Sequence, residues 1–205
     1  MNNQIIPRGG ILFVVSAPSG AGKTTLCNAL RQTRDFIYSV SCTTRGPRPG
    51  EIEGEDYYFL TKEEFARRAE AGEFLEHATV HGHQYGTLRS TVLGHLNKGV
   101  DVLLDIDIQG AASIRACSDP QIIEALADVF LMPRGLDELR HRLLKRATET
   151  PEQIEIRLRN AAGEMKNWSL YRYVIISGSV QEDLEKFGAI MRAERYLSRR
   201  LLLDL

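Results

Sequence analysis

The chain has 205 residues, of which 43% are hydrophobic, and its 26 Lys and Arg against 27 Asp and Glu give a formal net charge of −1. A chain of this size can close one hydrophobic core without disulfides or a structural metal. Its near-zero charge argues against a general binder of nucleic acid or of anionic membranes, because such proteins carry a net basic field.

Cysteine usage and hydropathy indicate the compartment. Cys27, Cys42 and Cys117 are widely spaced and form no CxxC pair, a pattern typical of reduced thiols. The N-terminus has no basic segment followed by a long apolar run, and no apolar stretch approaches the ~18–20 residues that cross a bilayer. We therefore expect a cytoplasmic protein without a membrane partner.

Predicted strands and helices alternate along most of the chain. Ile11–Ser16 is apolar at nearly every position, as in a strand buried on both faces, and a glycine-rich loop separates it from a helix over 23–34. Further elements are predicted as strands at 100–106, 128–132 and 173–176 and as helices near 109–117, 136–147, 151–167 and 180–203. The alternation is typical of a doubly wound α/β sheet.

A polar, glycine-punctuated stretch from Ser41 to about Leu93 interrupts this alternation and indicates an inserted subdomain. Within it, residues 56–60 have the composition of a strand. Thr61–Glu64 has the capping-box pattern that opens a helix, here reaching about Ala71.

The most specific local motif is the loop Ala17–Thr25, placed between the first strand and the first helix. It nearly matches a Walker A loop, in which glycines let backbone N–H groups surround a phosphate at a helix N-terminus. Lys23 would reach the β/γ-phosphates and Thr24 would ligate Mg²⁺. Ala17 departs from the pattern, which has glycine there. A plain glycine-rich turn with an exposed lysine is the alternative, but it leaves the strand-loop-helix context unexplained.

Two acidic residues follow the strand predicted at 100–106. Asp105 and Asp107 are two residues apart, hence on one face of a strand, and ligands of open α/β sheets bind beyond the carboxyl ends of the strands. One of them is a candidate Walker B acid near the phosphate loop. The alternative is that both simply form a turn.

Two arginine-rich segments offer further anion contacts. Arg45 and Arg48 lie in a Pro/Gly-stiffened loop and could form a fork for a phosphate. Residues 134–159 carry seven Lys/Arg against five Asp/Glu, with Arg142 and Arg146 one helical turn apart, and could form a lid over a transferring phosphoryl group. For both segments, ordinary solvated charge is the alternative.

Taken together, these motifs resemble those of the guanylate kinase family, nucleoside monophosphate kinases that transfer a phosphoryl group from ATP to GMP. The resemblance covers about residues 10–195, and its most specific segments are SAPSGAGKTTL, SCTTRGPRPGEIEGEDYYF, FLEHATVHGHQYGT and LLDIDIQGA. It implies a P-loop NTPase fold of three α/β/α layers around a parallel central sheet. It also implies one domain over residues 1–205, with a core (8–40, 95–133 and 158–205), a GMP-binding insertion (41–94) and a small helical lid (134–157).

The resemblance also implies roles for individual residues. The GMP-binding residues would be Ser41, Arg45, Arg48, Glu51, Tyr57, Glu76, Tyr85, Thr87 and Asp105. The ATP-binding residues would be Ser19, Gly20, Ala21, Gly22, Lys23, Thr24, Thr25 and Arg134, with Mg²⁺ on Thr24 and Asp107. The residues acting on the transferred group would be Lys23, Arg45, Arg142, Arg146 and Arg157.

Some features leave alternatives open. Many relatives carry Asn-Asp-Asp where this chain has Ser177-Gly178-Ser179, so selectivity for the donor base could be looser. A kinase-like binding module that has lost catalysis, or a kinase for another phosphorylated acceptor, would share much of this pattern, but the first commonly lacks the phosphate loop and the second would lack the guanine-reading residues. The leucine-rich tail from Leu201 could cover a face in a homo-oligomer or cap the chain's own core.

Overall fold

The computed structural model describes residues 7–80, 82–146 and 150–202, with the side chains of Lys145 and Arg146 excepted. The strands are β1 Leu12–Ser16, β2 Ile37–Tyr38, β3 Ser41–Thr43, β4 Tyr57–Phe59, β5 Phe74–Val80, β6 His83–Leu88, β7 Val102–Asp105, β8 Leu126–Met132 and β9 Tyr173–Ile176. The helices are α1 Lys23–Arg31, α2 Lys62–Glu70, α3 Arg89–Leu96, α4 Ile108–Arg115, α5 Pro120–Ala125, α6 Leu136–Arg146, α7 Pro151–Met165 and α8 Val180–Arg195, with 3₁₀ turns at Lys166–Leu170 and Ser198–Arg200.

The central sheet has five strands in the order β2-β7-β1-β8-β9. All its pairings are parallel. Strand β1 is in the middle, and the chain leaves it toward β2 at one edge and later returns through β7 to β8 and β9 on the other side. The predicted doubly wound α/β fold with a parallel central sheet is therefore confirmed.

The apolar run of β1 has a direct physical explanation. Phe13 and Val15 pack in one core cluster with α1 and α8, whereas Leu12 and Val14 pack in a second cluster with α3, α4 and α5. Successive side chains of a strand point to opposite faces, so helices cover both faces of the sheet. The result is three layers, and every position of β1 is buried.

The inserted region forms a second sheet in the order β4-β3-β6-β5. Its small core contains Cys42, Phe65 and Phe74. Helix α2 begins where predicted, since Thr61 Oγ1 accepts from the Glu64 N–H at 3.1 Å. The carboxylate of Glu64 does not complete the capping box; it accepts instead from the guanidinium groups of Arg67 and Arg68, because these charge-assisted bonds are stronger.

The last helix is shorter than the sequence pattern predicts. It ends at Arg195, not near residue 203, and the chain turns back through the second 3₁₀ turn. Arg200, which is 4% exposed, pairs with the buried carboxylate of Glu194 at 2.5 Å and donates to the carbonyl oxygens of Glu124 and Leu126. This buried pair favours the turn over further helix. Among the described residues, no helix has the length and apolar character needed to cross a membrane.

Candidate active site

The phosphate loop follows β1 and leads into α1. Gly20 and Gly22 have φ of +83° and +101°, a conformation that glycine adopts without strain. Gly22 is the N-cap of α1, so the helix begins at Lys23, as a phosphate-binding loop requires. Ala17, which replaces the glycine of the usual pattern, is not among the residues with positive φ and therefore tolerates a side chain.

Lys23 forms an ion pair with Asp105, the last residue of β7. Strands β1 and β7 are paired with Val15 opposite Asp105, which places the carboxylate beside the start of the loop. Burial lowers the pKa of Lys23, but the charge and hydrogen bond of Asp105 outweigh it and the pKa is raised overall. Lys23 is therefore a cation at neutral pH, held at the carboxyl edge of the sheet.

A cavity of about 610 Å³ lies at this edge and is lined by the phosphate loop and by residues of α4 and α7. Its lining includes Ala17–Thr24, Asp107, Gln109, Arg157, Asn160 and Glu164. The carboxylate of Glu164 accepts from the Ser19 N–H at 2.9 Å. An N–H group of the phosphate loop is thus directed at an anion.

A second cavity of about 300 Å³ lies on the other side of the loop, next to Ser177. Arg142 donates to Ala21 O at 2.7 Å, to Glu138 at 2.6 Å and to Ser177 Oγ at 3.2 Å. Ser177 Oγ in turn donates to Asp183 at 3.0 Å. The loop, α6 and the N-terminus of α8 are therefore joined around this cavity. Arg134 is exposed at its margin, with Nη2 3.5 Å from where a Cβ on Gly178 would lie.

A third cavity of about 180 Å³ lies between the two sheets. It is lined by Lys23, Ser41, Tyr57, Glu76, Ala78, Val80, Tyr85, Asp105, Ile106 and Asp107. Five of the residues expected to bind GMP therefore meet in one cavity although they are spread over 65 positions of the chain (41 to 105).

Glu76 is the buried acid of this cavity, with 6% of the residue exposed. The Thr87 hydroxyl donates to Glu76 Oε1 at 2.6 Å, because residues 76 and 87 are opposite each other on β5 and β6. Burial is the main cause that raises the pKa of Glu76 to about 7; the hydrogen bond from Thr87 opposes this shift and the charge of Asp107 adds to it. The carboxyl group therefore titrates in the physiological range.

Glu51 holds Arg45 near Tyr57, which lines the 180 Å³ cavity. Arg45 Nη2 donates to both carboxylate oxygens, at 2.8 and 2.9 Å, and the Arg48 N–H donates to Glu51 Oε2 at 2.8 Å. These bonds lower the pKa of Glu51. The rings of Tyr57 and Tyr85 pack edge to face, with centroids 5.9 Å apart. The side chain of Arg48 is exposed and does not line the cavity, so only its backbone joins the site here.

Asp107 and Thr24 line the same 610 Å³ cavity. Asp107 is the N-cap of α4, with Oδ1 accepting from the Gly110 N–H at 2.8 Å and Oδ2 accepting from Gln109 Nε2 at 3.3 Å. Within the described ranges, no three His, Cys, Asp or Glu side chains come together as metal ligands. A Mg²⁺ ion at a nucleotide takes only one or two protein oxygens besides phosphates and water, and this pair fits that requirement.

Four further residues expected in the site have not yet been placed among these contacts. The side chain of Arg146 lies outside the described residues, although its backbone ends α6. Arg157 lines the 610 Å³ cavity, and Thr25 lines the cavity next to Ser177. Thr87 lies behind Glu76 and does not line the 180 Å³ cavity.

Sequence reasoning missed Glu164 and Asn160. Both lie on α7 with Arg157, at spacings of three and seven residues, so the three side chains share one helix face. A polar stripe at this spacing is a signal that could have been found. The contact of Glu164 with Ser19 could not, because it joins residues 145 positions apart.

Comparison with known proteins agrees with this geometry. The family model described as guanylate kinase matches residues 10–194. Guanylate kinases of Thermotoga maritima and Sphingopyxis alaskensis are 44% and 45% identical to this chain over 187 and 194 residues, which are 91% and 94% of this chain and 88% and 86% of those proteins.

A solved structure supports the same assignment. The crystal structure of guanylate kinase from Anaplasma phagocytophilum has a TM-score of 0.78 and 34% identity, covering 97% of this chain and 93% of that one. The matches extend over both sheets and over the phosphate loop. The chain therefore belongs to the guanylate kinase family, the ATP:GMP phosphotransferases.

Proposed function

We propose that the chain transfers the γ-phosphoryl group of ATP to GMP with GMP in the 180 Å³ cavity and the ATP phosphates in the 610 Å³ cavity. The observation that carries this assignment is that Lys23, Val80 and Asp107 line both cavities. The two nucleotides would therefore meet with their phosphates on either side of Lys23. The products would be GDP and ADP.

The carboxylates of Glu76 and Asp105 would recognise guanine, assisted by Ser41 and Thr87. Guanine presents N1–H and N2–H₂ donors, whereas adenine presents an unprotonated N1 acceptor, so ionised carboxylates select guanine. The buried position of Glu76 strengthens this selection. A base without N–H donors would leave the buried carboxylate charge unpaired, and nothing would then offset the free-energy cost of its desolvation.

The GMP phosphate would bind at the entrance of the same cavity. Arg45 and the tyrosine pair Tyr57 and Tyr85 supply a cation and two hydroxyl donors, and Glu51 braces the loop that carries Arg45. Arg48 would join them when the loop closes on substrate, since its side chain is free to move at the surface. The insertion, residues 41–94, is therefore the GMP-binding part of the domain.

The loop Ser19–Thr25, with Lys23, would bind the ATP phosphates. The adenine base would lie in the cavity beside Ser177, with Arg134 at its margin. Thr24 and Asp107 would hold Mg²⁺, which supplies positive charge to the phosphate oxygens when it is bound. The residues 8–40, 95–133 and 158–205 would form the core that carries this half of the site.

Catalysis requires no protein nucleophile, because a phosphate oxygen of GMP attacks the γ-phosphorus directly. The chain contributes position and charge. Arg142, Arg146 and Arg157 come from the segment 134–157, which we assign as the lid, and would place positive charge where it develops in the transition state. Lys23 must leave Asp105 for the phosphates at the same time as Asp105 turns to guanine.

The remaining partner assignments rest on composition. A net charge of −1 supports small nucleotides, not nucleic acid, as the anionic partners. Light scattering of the purified chain tests the further proposal of a homo-oligomer.

The test is a chromatographic assay of ADP and GDP with ATP and Mg²⁺ and each of GMP, dGMP, AMP, UMP and CMP. We expect turnover with GMP well above that with AMP, UMP or CMP, and its loss in Lys23→Ala. Glu76→Gln should weaken GMP use far more than ATP binding. Binding of GMP without turnover by the wild-type chain would contradict the proposal and indicate a binding module; equal effects of Glu76→Gln on both substrates would contradict the assignment of guanine to Glu76.

A further inference from the structure

Gly110 lies in the first turn of α4, directly against the carboxyl group of Glu76. A Cβ atom built on Gly110 would overlap Glu76 Oε2 and lie 3.1 Å from its Cδ. The backbone of Gly110 is outside the left-handed region, so its conformation does not require glycine. What requires glycine here is the space that the Glu76 carboxylate occupies.

The Glu76 side chain has little freedom to avoid such an overlap. It is 6% exposed, and the Thr87 hydroxyl holds Oε1 at 2.6 Å on the other side. Thr87 is itself fully buried in β6. The carboxylate is therefore confined between Gly110 on α4 and Thr87 on β6, where it lines the 180 Å³ cavity.

The backbone of α4 cannot easily move away in response. The Gly110 N–H donates to Asp107 Oδ1 at 2.8 Å, which is the N-cap bond of the helix, and Ala111 and Ile114 are buried in the core on the same helix. An added methyl group would therefore displace the carboxylate of Glu76 before it displaced the helix. Asp107 Oδ1, at 3.3 Å from the same Cβ position, would be disturbed less.

We propose that Gly110 is a positioning residue for acceptor specificity. Because Gly110 has no side chain, the Glu76 carboxylate can occupy the position where it contacts the guanine edge of GMP. This inference rests on the proposed role of Glu76. Gly110 itself acts only through Glu76.

The test compares Gly110→Ala with Gly94→Ala by steady-state kinetics and thermal unfolding. Gly94 is also a helical glycine, but it is exposed and a Cβ there meets no atom within 4 Å. We expect Gly110→Ala to raise the KM for GMP about 10- to 100-fold, the range for a displaced hydrogen bond to a charged group, while the ATP KM changes less than about threefold. Gly94→Ala should leave both KM values unchanged.

Thermal unfolding separates this role from a structural one. Alanine is the better helix former, so Gly94→Ala should have an equal or higher Tm, whereas in Gly110→Ala the overlap with Glu76 offsets that gain. A GMP-specific loss in a variant that remains folded is the expected result. A Gly110→Ala variant with wild-type KM for GMP, or one in which the KM values of ATP and GMP rise equally, would overturn the proposal.

A double variant keeps the proposal falsifiable if Gly110→Ala is unstable. Glu76→Asp withdraws the carboxylate by one methylene and should raise the KM for GMP by itself. Combined with Gly110→Ala it also relieves the overlap, so the double variant should bind GMP at least about fivefold better, and melt higher, than two independent effects predict. Strict additivity of both effects would overturn the proposal.

Glu76→Gln distinguishes the failure of this inference from failure of the function on which it rests. If Glu76→Gln leaves the KM for GMP unchanged, guanine is not read by Glu76 and both assignments fall. If it raises the KM for GMP and Gly110→Ala does not, only the role of Gly110 falls.

Discussion

The ammonium group of Lys23 contacts the carboxylate of Asp105, so the residue that we assign to the donor phosphates is paired with one that we assign to guanine. Both side chains are largely buried. Each partner neutralises the other until the substrates arrive, and neither charge is left unpaired in the cleft. Under these assignments, binding of the two nucleotides would exchange this ion pair for two sets of substrate contacts.

Asp105→Asn should lower the pKa of Lys23. The ion pair is what raises this pKa, and without it the burial of the lysine, which favours the neutral amine, is no longer opposed. An NMR titration of the lysine side chains measures the change, with Asp35→Asn at an exposed position as the matched control. An unchanged Lys23 titration in Asp105→Asn would show that the pair does not govern its protonation.

GMP binding should weaken as the pH falls through about 7. In the role proposed for Glu76, the ionised carboxylate accepts the guanine N–H groups, and burial raises its pKa to about 7. The apparent Kd for GMP should therefore rise roughly tenfold between pH 8 and pH 6. Calorimetry at both pH values measures this, and Glu76→Gln isolates the part due to the GMP phosphate, which also takes up a proton near pH 6. Identical pH profiles for the two proteins would contradict the role of Glu76.

The same carboxyl group makes stability depend on pH. The folded-state pKa of Glu76 lies above its unfolded value, so its contribution to stability is fully present below about pH 4.5 and is lost as the pH rises through about 7. The free energy of unfolding should fall by about 2–3 kcal/mol between pH 5 and pH 8 from this group. Denaturant titrations of the wild type and of Glu76→Gln, in which this slope should be absent, measure it.

Glu51→Ala should loosen the loop that carries Arg45. The two bonds to the guanidinium and the bond from the Arg48 N–H are lost together. We expect the KM for GMP to rise several-fold, with little change in the KM for ATP or in Tm, because the lost bonds lie within the segment from Arg45 to Glu51 and join no other element. Steady-state kinetics with each substrate varied in turn measure this. A larger rise in the KM for ATP than in the KM for GMP would contradict the assignment of Glu51 to the GMP-binding half of the site.

Ser177→Ala should reduce stability more than donor selectivity. The Ser177 hydroxyl donates to the buried Asp183 and accepts from Arg142, so its hydrogen-bonding capacity is used within the protein. Its removal should cost about 1–3 kcal/mol, because Asp183 loses a partner. The ratio of kcat/KM for ATP to that for GTP should be unchanged. A shift of that ratio by more than about tenfold would show that Ser177 reads the donor base.

Local patterns allowed the core of the fold to be predicted. The run Leu12–Ser16 is apolar because both of its faces are covered, and the loop Ala17–Thr25 after it carries glycines where positive φ is needed. Thr61 caps α2 as its position in the sequence indicates. Each of these features depends on residues within a few positions of one another, so the sequence displays it directly.

The insertion was predicted less completely for the opposite reason. Strands β3, β5 and β6 are stabilised by pairing with each other across loops, and β3 is only three residues long. Helix α3 buries only Val92 and Leu96, so its sequence has too few apolar residues to indicate a buried helix face. The single strand predicted there, at 56–60, was found as β4, Tyr57–Phe59.

The sequence by itself determined the family, the parallel sheet and the residue types of the site, because periodicity, glycine placement and short motifs are properties of neighbouring residues. The tertiary structure alone decided that Lys23 is paired with Asp105, that Glu164 contacts the phosphate loop and that Glu76 fits against Gly110. These contacts join residues 34 to 145 positions apart. Their geometry follows from how β1, β7, α4 and α7 pack at one edge of the central sheet and how β5 packs on α4, and no local pattern encodes it.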